Sequence, residues 1–179
     1  MKRFGIDSIR MQNADQGMME RCGSLYCRVW QEPPWNENFW KPSHVFKKIS
    51  KAMKMPNFAG LLAVEENDVR GFTWGFEVRK HDLRRISSGA MLDFIFVPEK
   101  KVFYVAELGV EKGYRNKGAG ESLSKLLLQK AGELGMKIIT LRTDDLAIPA
   151  KRLYARLGFE EHLIRDGKFP ARAYWILEL

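Results

Sequence analysis

Between residues 107 and 120 the chain reads Glu107-Leu-Gly-Val-Glu-Lys-Gly-Tyr-Arg115-Asn-Lys-Gly-Ala-Gly120. Leading into it, Val102 to Val110 is rich in β-branched and aromatic residues and predicts a strand. Beyond it, Leu123, Leu126, Leu127, Ala131 and Leu134 recur at helical spacing and predict an amphipathic helix. The glycines between the two runs predict a turn from Gly113 to Gly120. A further short apolar run, Lys137–Arg142, then predicts a second strand, so the whole reads as a βαβ unit with parallel strands. A turn of this kind points backbone N–H groups outward where the helix dipole is positive, which makes a site for an anion. Gly118 and Gly120 have no Cβ to keep a phosphate from the backbone. Neither of two common phosphate motifs fits. Gly118 is followed by Ala119-Gly120 rather than Lys-Ser/Thr, and Gly118-Ala119-Gly120 is followed by Glu121-Ser122-Leu123 rather than x-x-Gly.

Outward from this unit the pattern stays mixed. Asn13 is placed to cap a helix whose apolar face is Met18, Cys22, Leu25, Tyr26, Val29 and Trp30, with Pro33-Pro34 ending it. A second helix follows Pro42-Ser43, with Val45, Phe46, Ile49, Ala52 and Met53 inward and Pro56 closing it. Gly60–Glu65 and Val69–Val78 predict a hairpin joined at Asn67-Asp68. Residues 79–101 carry little pattern beyond a short apolar stretch from Met91 to Val97. After the βαβ unit, Lys151–Leu157 predicts a helix ending at Gly158, and Glu160–Arg165 and Ala171–Leu179 predict the last strands. The fold class is α/β, with a mixed sheet of about six to seven strands flanked by helices, in one domain spanning residues 1–179.

Composition agrees. A chain of 179 residues with 45% hydrophobic content should bury roughly 70% of its unfolded surface. No apolar run approaches the ~20 residues that span a bilayer, and the basic start Met1-Lys2-Arg3-Phe4-Gly5 lacks the apolar core of a secretory signal. With only Cys22 and Cys27, free thiols in a reducing, cytoplasmic setting are expected rather than a disulfide framework. The net charge of +8 is uneven. Residues 1–60 carry +5, residues 61–110 carry −1 and residues 111–179 carry +4, which suits a localised anionic ligand better than a nucleic-acid stripe. Lys47, Lys48, Lys51 and Lys54 read as the solvated face of the second helix, opposite Val45, Ile49 and Met53, so no nucleic-acid partner is expected.

The segment from Glu107 to Gly120 resembles the acyl-CoA-binding segment of the GCN5-related N-acetyltransferase (GNAT) superfamily, whose signature Gln/Arg-x-x-Gly-x-Gly/Ala is matched at Arg115, Gly118 and Gly120. Ala150-Lys-Arg-Leu-Tyr154-Ala-Arg-Leu-Gly158-Phe159 is similar to that family's second conserved region. Together they cover roughly residues 60–179. The resemblance implies a GNAT-like fold and acetyl-CoA as cosubstrate. It further implies that N–H groups of Arg115, Asn116, Lys117, Gly118, Ala119 and Gly120 hold the pyrophosphate, with charge from Arg115 and Lys117. By the same resemblance the strand edge at Leu108 and Val110 is expected to pair with the pantetheine arm, and Tyr154 to stand near the CoA sulfur as the acid that protonates it. One position departs. Many members have Asn three residues before the motif's alanine, and here it is Ala147, with Asp144 or Asp145 as neighbours that could replace its contact.

Acetyl transfer to an amine needs the amine neutral. At pH 7 a lysine-like amine of pKa ~10.4 is only ~10⁻³ neutral, a handicap of roughly 4 kcal/mol, so a base or a water path must take the proton. Glu107 is the first candidate as base or amine anchor, against a structural ion-pair role. By strand parity it faces away from Leu108 and Val110 unless a bulge at Gly109 changes that. Glu77 and Asp93 are the alternatives. The resemblance assigns the oxyanion donor to the backbone of Val110 or its neighbour. Cys22, Cys27, His44 and His81 fit no metal pattern, and no metal is expected. Trp30, Pro33, Pro34, Trp35, Phe39 and Trp40, with Glu32 and Glu37 among them, predict either an acceptor loop for a cationic small-molecule amine or a packed aromatic loop or homodimer contact. An aminoglycoside- or polyamine-like acceptor is expected. Peptide N termini or lysines, or a non-catalytic acyl-CoA-binding regulator, are the alternatives.

Overall fold

The computed structural model describes residues 7–87 and 92–179. The basic N-terminal start and Met91, where the apolar stretch of the third quarter begins, lie outside them. In chain order the elements are β1 (Asp7–Arg10), α1 (Gln16–Gln31), α2 (Pro42–Ala52), β2 (Ala59–Glu65), β3 (Asp68–Val78), α3 (Lys80–Ile86), β4 (Lys101–Val110), α4 (Ala119–Glu133), β5 (Met136–Asp144), α5 (Ile148–Arg156), β6 (Glu160–Arg165) and β7 (Arg172–Glu178). The strands form one sheet in the order β1-β2-β3-β4-β5-β7-β6. All neighbours are antiparallel except β4 and β5, which are the parallel pair of the βαβ unit. This is the α/β fold with a mixed sheet that the sequence predicts, with seven strands.

Helices cover both faces. On one, α1 and α2 bury Leu25, Tyr26, Val45 and Ile49 against Phe72, Trp74 and Tyr104 of β3 and β4. On the other, Leu127 and Ala131 of α4 and Leu153 and Tyr154 of α5 pack with Phe103, Ile139 and Trp175. Several local expectations shift. Asp15, not Asn13, caps α1, its carboxylate accepting from the Met18 N–H at 2.7 Å, while Asn13 ends a 3-10 turn over Met11–Asn13. The hairpin turns at Glu66-Asn67, both with positive φ, one residue earlier than Asn67-Asp68. Phe46 and Leu126, predicted inward, are exposed, lying off the buried stripes by which α2 packs chiefly on α1 and α4 on the sheet. Strand β1 and helix α3 carry too few residues to show a period. Among the described residues no helix is long and apolar enough to cross a membrane.

Two departures from regular sheet geometry set up the site. The first is a bulge on β4. Trp74 of β3 pairs with Glu107 and the next residue, Gly75, pairs with Val105, which leaves Ala106 over. Val102, Tyr104 and Ala106 face the α1/α2 side and Phe103 and Val105 the α4 side. Past the extra residue the parity inverts: Leu108 packs with the α4-side cluster, and Glu107 contacts α1 and α2. The bulge thus lies at Ala106, not Gly109. Gly109 is instead needed for contact, since a Cβ there would sit 2.3 Å from the Phe72 ring.

The second departure is a fork. Strands β4 and β5 pair only from Lys101–Tyr104 against Met136–Thr140, and beyond that β5 continues paired to β7 alone. From Val105 to Val110, β4 has β3 on one side and, among the described residues, no strand on the other.

Candidate active site

The fork opens into a cavity of about 1000 Å³ lined by β4 from Tyr104 to Val110, by Tyr26 and Trp40 from the α1/α2 side, and by Tyr154 from α5. The Glu111 N–H donates to the Arg70 carbonyl at 2.8 Å, so Glu111 and Arg70 form a hydrogen-bonded antiparallel pair. Alternation along the ladder then turns the N–H and C=O of Val110 and of Leu108 away from β3, toward the open side of the fork. An extended ligand laid along β4 would find there the hydrogen-bonding edge of a missing strand. The Val110 carbonyl is already taken, accepting from Arg115 Nε at 2.9 Å.

Glu107, nearly buried, enters from the bulge. Its Oε1 lies 2.6 Å from Lys48 Nζ on α2 and accepts from the Tyr26 hydroxyl at 3.3 Å. Its backbone carbonyl accepts from the Thr73 hydroxyl at 2.9 Å, which fastens the bulge to β3. Lys48 Nζ also stands 4.8 Å from the Trp40 ring centroid and 5.4 Å from that of Tyr26. Burial pushes the Tyr26 phenol far above its ordinary pKa, and the carboxylates of Glu107 and Glu37 add to this, so Tyr26 stays a neutral donor. Lys48 therefore does not belong with the solvated lysines of α2. Lys47, Lys51 and Lys54 are exposed, and Lys48 is drawn inward. It sits beside Ile49 on the flank of the apolar stripe, a position the sequence could have flagged.

Tyr154 reaches the cavity from the opposite face. Its ring packs at 5.8 Å on Phe159 and at 6.2 Å on Trp175. Burial raises its phenol pKa above the ordinary value, followed by the effects of Glu107 and Tyr104. Glu107 and Tyr154 thus share one cavity, each from its own side of the sheet. Glu77 and Asp93 do not join them. Glu77 accepts from Asn57 Nδ2 at 2.5 Å, and Asp93 is bound by Lys80 and Arg84.

The turn before α4 differs in detail from the sequence expectation. Asn116 and Gly118 adopt positive φ, 58° and 89°, and nothing lies within 4 Å of where a Gly118 Cβ would stand. Among the described residues the N–H groups of Gly118, Ala119 and Gly120 have no partner, and α4 has no side-chain cap. Arg115 is engaged within the fold. Its N–H donates to the Lys112 carbonyl at 3.3 Å, and its guanidinium turns inward to Val110 and to Glu32, 2.5 Å away. Arg115 straps the turn to β4 and to the loop after α1. Lys117 lies over the Tyr114 ring, 5.4 Å from its centroid. Ala147 lines the cavity, while Asp144 accepts from the Leu146 N–H at 3.0 Å and Asp145 pairs with Arg165 at 2.9 Å.

The aromatic loop is both packed and cavity-lining. Trp30 and Trp40 lie 5.1 and 5.2 Å from Tyr26, and Trp35 lies 5.5 Å from Trp30. Glu37 accepts from Trp40 Nε1 at 2.6 Å and from Arg172 at 3.1 Å, and Arg172 is in turn stacked between Trp35 and Phe169. Arg172 belongs to the last strand and has no motif around it. Only the tertiary fold brings it to the loop. Among the described residues no group of three His, Cys, Asp or Glu is close enough to hold a metal ion.

Comparison with solved structures finds the same fold across nearly the whole chain. An aminoglycoside 6'-acetyltransferase type Ii superposes with a TM-score of 0.69 at 15% identity, covering 97% of each chain. A ribosomal-protein-alanine N-acetyltransferase from Brucella melitensis gives 0.70 at 15%, covering 97% of this chain and 100% of that one. A Salmonella typhimurium protein solved with its cofactor acetyl-CoA gives 0.70 at 15%, covering 98% and 94%. No curated protein sequence matches. Residues 19–159 match the model of the acetyltransferase (GNAT) family, which takes in α1 from Met19, all of α2, the forked strands, the glycine turn and Tyr154. The chain belongs to the acetyltransferase (GNAT) family.

Proposed function

We propose that the protein is an N-acetyltransferase that passes the acetyl group of acetyl-CoA directly to a primary amine held against Glu107. The observation that carries this reading is the fork, which presents the outward N–H and C=O of Leu108 and the outward N–H of Val110 in one cavity with Glu107 and Tyr154. Acetyl-CoA fits the residues present. The pantetheine arm matches the unpaired edge of β4, and the unpartnered N–H groups of Gly118, Ala119 and Gly120 suit its pyrophosphate, with Asn116 and Lys117 in the same turn. Bound there, it supplies an acetyl thioester.

The chain's own groups then divide the work. Glu107 and the faces of Tyr26 and Trp40 anchor the acceptor as an ammonium, and Glu107 takes its proton. The Val110 N–H, aimed into the fork, stabilises charge on the acetyl oxygen, a role worth ~3 kcal/mol for such a donor. Tyr154 donates a hydrogen bond to the departing sulfur. Cys22 and Cys27 are buried in α1 and take no part.

The acceptor is proposed to be a small molecule, because the loop over residues 30–40 walls the cavity. Glu32 and Glu37 are already engaged by Arg115 and Arg172, which favours a single ammonium over the aminoglycoside- or polyamine-like polycation read from the sequence. The test is thiol release from acetyl-CoA across aminoglycosides, polyamines, amino acids and peptides with free N termini. Amine-dependent release, strongest for monoamines, is expected. Release with peptides alone would move the acceptor to a protein N terminus. Binding of acetyl-CoA without release would leave an acyl-CoA sensor, and absence of binding would overturn the proposal.

A further inference from the structure

The amine nearest the proposed base belongs to the chain itself. Lys48 Nζ lies 2.6 Å from Glu107 Oε1, faces the rings of Trp40 and Tyr26, and lines the same cavity as Tyr154. A carboxylate plus aromatic faces is what an incoming acceptor ammonium would require. Lys48 has both before any acceptor arrives, whereas its neighbours Lys47, Lys51 and Lys54 are exposed to solvent, Lys51 at the cavity's edge.

We propose that Lys48 is a self-acetylation site: with acetyl-CoA bound and no acceptor present, the chain acetylates its own Lys48 Nζ. The inference rests on the acetyl-transfer reading above. Glu107 takes a proton from the Lys48 ammonium, the freed Nζ forms a bond to the acetyl carbon, and the carbon–sulfur bond breaks. A second proton leaves Nζ as the amide forms and ends on the departing thiolate, and Glu107 passes the first to solvent. The products are acetylated Lys48, CoA thiol and one released proton, and no other reactant enters. Acetylation removes the positive charge at Lys48. Glu107 then loses its ion-pair partner and is left beside Trp40 and Tyr26 for an ammonium from outside. The modification converts a site occupied by its own lysine into one open to an acceptor.

The purified full-length chain, incubated with acetyl-CoA and no added amine, tests this by residue-resolved mass spectrometry of Lys47, Lys48, Lys51 and Lys54. Acetyl occupancy at Lys48 should lead the other three by at least about tenfold, since it is the lysine of the four that is paired with Glu107. The rate constant should not depend on protein concentration. Tyr154→Phe should slow labelling of Lys48 alone, by at least about tenfold, and Lys48→Arg should keep the ion pair and abolish the label. Equal occupancy at the four lysines, untouched by Tyr154→Phe, would mean ordinary chemical acetylation and overturn the inference. Turnover of an added amine with Lys48 unlabelled would overturn it while leaving the acetyl-transfer reading intact. Absence of acetyl-CoA binding by calorimetry would overturn both.

Discussion

Tyr154 shows how far a single group's environment limits its role. Its phenol is buried, its pKa lies above the ordinary value, and Glu107 adds to that shift. A thiol's pKa is ~8.5, so complete proton transfer from Tyr154 to the thiolate is uphill, and its contribution is a hydrogen bond that strengthens as negative charge gathers on sulfur. Tyr154→Phe should therefore lower kcat by about 10²-fold while acetyl-CoA affinity changes by no more than about threefold. The expected split is visible in steady-state kinetics beside a calorimetric titration. An equal loss in affinity would make Tyr154 a binding residue. The sign of the shift also fixes the alkaline behaviour. A raised phenol pKa keeps the proton on through pH 10, so turnover of the wild-type chain should show no fall from Tyr154 ionisation between about pH 8 and 10.

At the scale of elements, β4 owes its use to its partner. The quoted stretch from Glu107 to Gly120 displays the strand, the turn and the helix start, and its parity places Glu107 opposite Leu108 and Val110, as the structure has it. The bulge that aims Glu107 at α1 and α2 was not legible there, because its accommodation lies on β3 at Gly75. A Cβ at Gly75 would stand 2.3 Å from the Phe103 ring and 2.5 Å from the Tyr104 carbonyl oxygen, and a carbonyl in a paired strand cannot step aside. Gly75→Ala should destabilise the fold by about 1–3 kcal/mol through overpacking, lowering the urea midpoint, and should reduce turnover further by moving Glu107. Gly113→Ala, with nothing within 4 Å of its Cβ, should stay within about 0.5 kcal/mol of wild type in the same assay. Equal midpoints for the two variants would mean that β3 yields at Gly75 and that the bulge is soft.

Across the whole molecule, the sequence made legible what depends on local periodicity: the helices, the βαβ unit, the glycine turn and the two conserved segments. Lys48 against Glu107, Arg172 against Glu37 and Arg115 against Glu32 join residues far apart in the chain, and no local spacing encodes them. Such contacts tie the α1/α2 wall to the forked sheet, and Cys22 reports on that union. It lies fully buried on α1, one turn before Tyr26, and burial pushes its thiol pKa up to about 12. At pH 8 the native thiol is both inaccessible and protonated, so alkylation must pass through an opening that lifts α1 from the sheet. That opening also dismantles the cavity wall formed by Tyr26, Val29 and Trp30. A ligand that binds only the closed form at 100 times its Kd adds about 2.7 kcal/mol to the opening free energy, which slows labelling about 100-fold when closing outpaces alkylation. Acetyl-CoA should therefore protect Cys22 to that degree, as measured by the rate of iodoacetamide incorporation. Unchanged labelling in the presence of saturating acetyl-CoA would mean that α1 opens without disturbing the cofactor site, and that the wall and the fork are energetically separate.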